Sequence, residues 1–125
     1  MAKDWDHWQT LALEEVQHTL RRLPAPLRTR AGQLPVTYEP SPSPELEADG
    51  IEPDVLGLFV GESWADEGAT SAPLPAQIIL FLDNLRDYTQ DDETGFRREV
   101  RTTYLHELGH FLGLDEDELI GRGLE

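Results

Sequence analysis

The hydrophobic residues near the N-terminus follow a helical spacing. They recur at steps of three and four positions, which places them on a single face of an amphipathic helix. Asp4 or Asp6 is a candidate N-cap, and Pro24 with Pro26 predicts where the helix ends. The buried face of this predicted helix consists of Trp5, Trp8, Ala12, Val16, Leu20 and Leu23.

Three segments in the middle of the chain predict β-strands because they are rich in β-branched and aromatic residues. These segments are residues 34–40, 55–63 and 77–85. The third is apolar almost throughout, which is typical of a strand that is central in its sheet or covered by helices. Between them, residues 41–54 and 65–75 are rich in Pro, Ser, Gly and acidic residues and are interpreted as loops.

The last long hydrophobic pattern predicts a helix from about Thr94 to Leu112, with Gly113 as its stop signal. At about 100° per residue, His106 and His110 fall together at the edge of the hydrophobic arc. The pattern therefore predicts a helix with a buried face beside a face that carries both imidazoles. The arc itself consists of Val100, Tyr104, Leu105, Leu108, Phe111 and Leu112.

The predicted helices and strands indicate an α/β (α+β) fold. The length of 125 residues fits a single domain over residues 1–125, long enough for a hydrophobic core. The chain has no cysteine, so any metal must be bound by His, Asp, Glu or water. A formal net charge of −15 argues against a nucleic-acid partner. No apolar run approaches the ~20 residues of a membrane span, and no secretory signal is evident. We expect a cytoplasmic protein without a membrane partner; the oligomeric state stays open.

The candidate chemistry lies in the last helix, at His106, Glu107 and His110. Residues four apart stack one turn above each other, so the two imidazoles can bind one zinc ion. Glu107 is close enough to take a proton from a water on that ion, whose pKa zinc lowers to about 7. This spacing predicts a hydrolytic zinc site. The alternative is a pair of surface histidines, the interpretation we give to His7 and His18.

A third metal ligand is expected after Gly113, because glycine can adopt a positive φ and reverse the chain. Four carboxylates follow within reach of the histidines. Negative charge at a helix C-terminus is unfavourable unless a cation compensates it, which favours a metal. The spacing alone does not choose among Asp115, Glu116, Asp117 and Glu118.

Residues 106–116, "HELGHFLGLDE", resemble the metzincin motif His-Glu-x-x-His-x-x-Gly-x-x-His, with Glu116 at the place of the third histidine. More broadly, the chain resembles a small bacterial family of minimal zincin-like metallopeptidases, long catalogued as a domain of unknown function. The resemblance extends to "LRRLPAPLR", "EPDVLGLFVGES" and "LPAQIILFLDNL". It implies a three- to four-stranded sheet packed against an N-terminal helix and a C-terminal active-site helix.

The resemblance also implies a site and a reaction. One Zn²⁺ ion would be bound by His106, His110 and Glu116, and Glu107 would be the general base in hydrolysis of a peptide or protein substrate. The third ligand in that family is typically an aspartate, so the glutamate is a departure that leaves Asp115 as an alternative ligand.

The lack of a methionine turn favours a second interpretation, a metal-binding interaction module whose zinc is purely structural. Metzincins place a methionine turn beneath the metal, whereas the only methionine here is Met1. The group that would stabilise the oxyanion is also not evident. Its candidates are Tyr88, Tyr104 and Arg101. We therefore expect a zinc metallopeptidase whose activity is weak or depends on a partner, with the non-catalytic module and a metal-free structural domain as alternatives.

Overall fold

A computed structural model describes residues 2–61 and 76–113. The elements in these two ranges are five helices and three strands. In chain order they are α1 (Ala2–Arg21), α2 (Ala25–Ala31), β1 (Val36–Glu39), α3 (Pro44–Ala48), β2 (Gly57–Val60), β3 (Gln77–Phe81), α4 (Leu82–Thr89) and α5 (Glu93–Leu112). None of the helices in the described ranges is long and apolar enough to cross a bilayer.

The three strands form one mixed sheet in the order β1-β3-β2. β1 pairs with β3 in parallel, whereas β2 pairs with β3 antiparallel, with Leu58 opposite Ile79. The predicted central position of the third strand is therefore confirmed. Ile78 and Leu80 of β3 are fully buried in the hydrophobic core.

The predicted third strand was too long, because the chain turns into α4 at Leu82. Leu82 and Leu85 are both fully buried, and their spacing of three suits one face of a helix. The side-chain amide of Asn84 fixes the first turn by donating to the carbonyl oxygens of Pro53 (2.9 Å) and Val55 (2.8 Å).

Two short helices lie where no helix was predicted. Pro24 is the N-cap residue of α2, so the proline that was expected to end one helix also begins the next. Within the expected loop at 41–54, the Ser43 hydroxyl accepts a hydrogen bond from the Leu46 amide (3.3 Å) and caps α3. In both cases proline occupies the first turn, where its missing N–H leaves no hydrogen bond unmade.

Helix α1 packs against α5 through the predicted hydrophobic face. Trp8 contacts Phe96 edge-on, with ring centroids 4.7 Å apart, and the predicted members Ala12, Val16 and Leu23 are buried as well. The cap prediction was wrong, because α1 begins at Ala2 and Asp4 lies inside its first turn. The remaining two members of the face, Trp5 and Leu20, are partly buried against the core.

Helix α5 is the central element of the fold and lies against β2 and β3 on one side and against α1 and α4 on others. Its N-cap is Asp92, whose carboxylate accepts from the Gly95 amide (2.7 Å). It ends at Leu112, and Gly113 has the left-handed φ of 74° that was expected of the stop signal. All six residues of the predicted arc are buried. The sequence therefore correctly predicted this helix, its end and its buried face.

Tyr104 of α5 is only 1% exposed, and burial raises its pKa to about 12, with a smaller contribution from the charge of nearby Tyr38. Burial likewise raises the pKa of Tyr38 to about 12. An unfolded tyrosine titrates near pH ~10. Because the folded pKa is the higher one, the neutral phenols stabilise the fold fully below pH ~10, and this contribution is lost as the pH rises towards 12.

For Tyr104 this loss amounts to about 2–3 kcal/mol of unfolding free energy. We therefore expect Tyr104→Phe to lose less stability than the wild type between pH 9 and pH ~12, as measured by urea unfolding at each pH. Other groups titrate in the same range, but they do so in both proteins. The difference in pH dependence between Tyr104→Phe and the wild type therefore reports on the Tyr104 phenol alone. Identical pH dependence in the two proteins would show that Tyr104 does not resist ionisation.

Candidate metal centre

Three potential ligands come together near the C-terminal end of α5. Each of His106, Glu107 and His110 offers one ligand atom, and these atoms lie within 4.8 Å of one another. His110 is exposed, whereas Glu107 is partly buried, so the group lies at the protein surface with the carboxylate on its inner side. The spacing that predicted a shared site thus does bring the three side chains together.

The two imidazoles are arranged as ligands of one ion would be. Their Nε2 atoms are 3.3 Å apart, and the ring planes are nearly perpendicular at 86°. Two nitrogens bound at ~2.0–2.1 Å to a tetrahedral zinc ion lie ~3.3–3.4 Å from each other. The separation of His106 and His110 therefore fits a shared zinc ion without further movement of either ring.

Glu107 is held by the main chain of the neighbouring strand. Its Oε1 accepts a hydrogen bond from the Phe59 amide of β2 at 2.9 Å. The Phe81 amide donates to the Leu56 carbonyl, so Leu56 directs its main-chain groups towards β3. In an antiparallel ladder successive residues alternate, and Phe59, three residues further along, therefore directs its N–H away from β3. The Glu107 carboxylate thus accepts a hydrogen bond from a main-chain amide of β2 that faces away from the sheet.

No feature of the sequence indicates that Phe59 takes part in the site. The contributing group is its backbone N–H, which every residue except proline carries. No residue type or motif spacing could therefore have identified it. Only the pairing of β2 with β3 and the packing of β2 on α5 bring this amide to the carboxylate.

Strand β2 and helix α5 run alongside each other through the site. Thr103, Glu107 and Phe111 lie on successive turns of α5, and they meet Gly57 and Phe59 of β2. Two strand residues advance ~6.6 Å and one four-residue helical step ~6.0 Å, so the two elements stay in register over this distance. The strand is therefore the wall against which the carboxylate is positioned.

The sequence model of the zincin-like metallopeptidase family matches residues 31–124, which is 94 of the 125 residues. The match spans β1 to α5 and includes the His-Glu-x-x-His group. The chain belongs to the zincin-like metallopeptidase family. No curated protein matches this zincin-like chain.

Family membership confirms the resemblance found in the motif. The mixed α/β architecture, with the His-Glu-x-x-His group on the C-terminal helix, agrees with the expected minimal zincin fold. The family and the geometry of the three side chains together indicate a zinc metallopeptidase.

The third ligand predicted for this zincin-like site, Glu116, lies outside the described residues, as does its alternative Asp115. Both stay predictions. The described chain ends at Gly113, whose left-handed conformation (φ 74°, ψ 25°) lets its amide bond back to the carbonyls of Gly109 and His110. This conformation ends the helix beside the second histidine, as the prediction of a later ligand requires.

None of the three candidates for stabilising an oxyanion in this zincin-like chain is placed beside the histidines. Tyr104 lies in the core near Tyr38. Tyr88 is 65% exposed in the last turn of α4, which precedes α5, and α5 rises ~20 Å between Glu93 and His106. Arg101 is exposed on α5 but lies ~140° around the helix from His106.

A depression of about 400 Å³ lies away from the zincin-like site. Its lining comes from β1, the segment around α3, and the strands β2 and β3. It includes the outward-facing Thr37 and Glu39 of β1 and none of the three metal-site residues. The candidate centre is therefore the histidine pair on α5, and this depression plays no part in it.

Proposed function

We propose that this protein is a zinc-dependent metallopeptidase that hydrolyses peptide bonds with Glu107 as its general base. The observation that carries the proposal is the geometry of α5. Two imidazole nitrogens 3.3 Å apart fit one zinc ion, and a carboxylate oriented by the Phe59 amide lies within 4.8 Å of them.

His106, His110 and Glu116, or Asp115 in place of Glu116, would hold one Zn²⁺ ion. Two neutral imidazoles and one carboxylate form a donor set that suits zinc with an open position for water or substrate. When bound, zinc supplies a Lewis acid that polarises a carbonyl group and makes water acidic enough to react near neutral pH.

Glu107 carries out the proton transfers. Its Oε1 is occupied by the Phe59 amide, which leaves Oε2 to accept the proton of the attacking water. The same carboxyl group then delivers this proton to the nitrogen of the leaving amine, so that it returns to the carboxylate form after each cycle. This sequence needs one ionised carboxylate held in place, which is what the strand amide provides.

The substrate would be an extended peptide lying along the outer edge of β2. In the described part of the chain, β2 pairs only with β3. The alternation of the ladder directs the Gly57 amide and the carbonyl groups of Gly57 and Phe59 away from that partner, whereas the Phe59 amide already donates to Glu107. An extended peptide can add to such an edge through backbone hydrogen bonds. The net charge of −15 favours basic peptides over acidic ones by long-range attraction.

The test of this function is an assay of the purified protein on denatured casein and on unstructured basic and acidic peptides. We expect cleavage that a chelator abolishes and added zinc restores, with basic peptides cleaved faster at low salt. Equal rates for the two peptide sets would remove the preference for basic substrates.

The same assay separates peptidase activity from the alternative, a structural zinc in an interaction module. The observation that supports this alternative is that the three oxyanion candidates all lie away from the histidines. Stoichiometric zinc binding without any cleavage of casein or peptides would support the module and contradict the proposed reaction.

A further inference from the structure

Strand β2 lies close against α5 at Gly57. A Cβ atom at this position would lie 2.5 Å from Cγ2 of Thr103, and also 3.3 Å from both the Ile79 carbonyl oxygen and Cδ2 of Leu80. Thr103 is buried, and a β-branched side chain on a helix has few alternative rotamers. Any side chain at position 57 would therefore have to push the strand and the helix apart.

This close contact lies directly beside the contact that holds the proposed base. Gly57 and Phe59 are two residues apart on β2, and Thr103 and Glu107 are one turn apart on α5. The same pair of elements thus makes the glycine–threonine contact and the hydrogen bond from the Phe59 amide to Oε1 of Glu107. The distance set at the first contact fixes the length of the second.

We propose that Gly57 and Thr103 are positioning residues that set the spacing between β2 and α5 so that the Phe59 amide orients Glu107. The inference rests on the proposed function, because the orientation of the Glu107 carboxylate matters for catalysis only if that carboxylate is the general base. A glutamate side chain has three rotatable bonds, and a hydrogen bond to one oxygen restricts which way the other oxygen faces. Neither positioning residue is one of the three potential metal ligands, so both act through the spacing of the two elements.

The first test compares Gly57→Ala with two double variants. In Gly57→Ala we expect kcat to fall by about 10- to 100-fold because displacing a reacting group by ~1 Å has effects of this size. Zinc affinity should stay close to wild type, because neither member of this contact pair is a potential metal ligand. Adding Thr103→Ala removes the obstructing methyl group and should restore most of the lost kcat.

The matched control is Gly57→Ala combined with Thr102→Ala. Thr102 is the same residue type at the adjacent position of α5, but it is exposed. Its truncation should therefore leave the defect of Gly57→Ala unchanged. Equal rescue by both threonine variants, or rescue by neither, would overturn the proposed spacing role.

The second test detects the hydrogen bond from the Phe59 amide to Glu107 by NMR and does not depend on activity. In protein labelled with ¹⁵N-phenylalanine, only four amide signals are expected, one for each phenylalanine. The Phe59 amide proton should shift upfield in Gly57→Ala and return in the double variant with Thr103→Ala. In a chain with Gly57 intact, Glu107→Ala should produce the same upfield shift, so the hydrogen bond is tested even if Gly57→Ala does not fold.

These two tests have distinguishable failures. An unchanged Phe59 signal in Glu107→Ala would overturn the positioning role regardless of activity. If the variants show the expected amide shifts but the wild-type protein cleaves no peptide, the proposed function is contradicted. The catalytic role of the spacing is then contradicted as well.

Discussion

Replacing Glu107 with alanine is expected to lower kcat for peptide hydrolysis by about 10²- to 10⁴-fold, the usual contribution of a general acid–base group. The loss arises because no other carboxylate among the described residues belongs to the cluster around the two histidines. Zinc binding should persist, since His106 and His110 remain in place. The measurement is peptide turnover together with zinc content per chain.

Glu99→Ala is the matched control for this variant. Glu99 is an acidic residue on the same helix, two turns before His106 and facing a similar direction at ~100° per residue. Its removal should leave both turnover and zinc content near wild type. Full activity of Glu107→Ala would show that another group takes the proton, and the mechanism proposed here would then be wrong.

Replacing His106 or His110 with alanine is expected to reduce zinc affinity by more than about 100-fold, because loss of groups that merely orient a ligand already costs 10- to 100-fold. Hydrolysis should be lost with the metal. Zinc binding to the folded protein should raise its thermal stability, and either variant should lose this increase. Calorimetric titration with zinc and thermal unfolding with and without zinc measure both effects.

The other two histidines of the chain provide the control. His7 and His18 are exposed on α1, and His7 contacts Glu93 at 2.8 Å, away from the candidate centre. Alanine at either position should leave zinc affinity unchanged. If all four histidine variants lost zinc affinity to a similar small extent, the ion would be bound diffusely by the acidic surface instead of at α5.

The features of the fold that could be predicted are those encoded over a long stretch of sequence. Helix α5 combines a hydrophobic arc of about three and a half turns, over residues 100–112, with a glycine at its end, and both signals agree. The segment 77–85 contains a short run of apolar residues that suits a strand or a buried helix equally, so the change from β3 to α4 at Leu82 was missed. Prolines in the first turns of α2 and α3 were interpreted as breaks, although they start both helices.

The part of the site that could be predicted is local to one helix. The spacing of His106, Glu107 and His110 alone determines that their side chains converge once α5 forms. The contacts made by Gly57 and Phe59 could not be predicted, because they depend on how a distant strand packs on that helix. They involve a missing side chain and a backbone amide, neither of which a motif can specify.

X-ray absorption at the zinc edge of the zinc-loaded protein shows whether His106 and His110 bind the same ion. A shared site on α5 predicts a first shell at ~2.0–2.1 Å that contains two imidazole nitrogens together with oxygen donors. His110→Ala should show one imidazole fewer in any zinc that remains bound. A wild-type shell of oxygens alone, or one with a single imidazole, would show that His106 and His110 do not bind one ion and would contradict a shared site on α5.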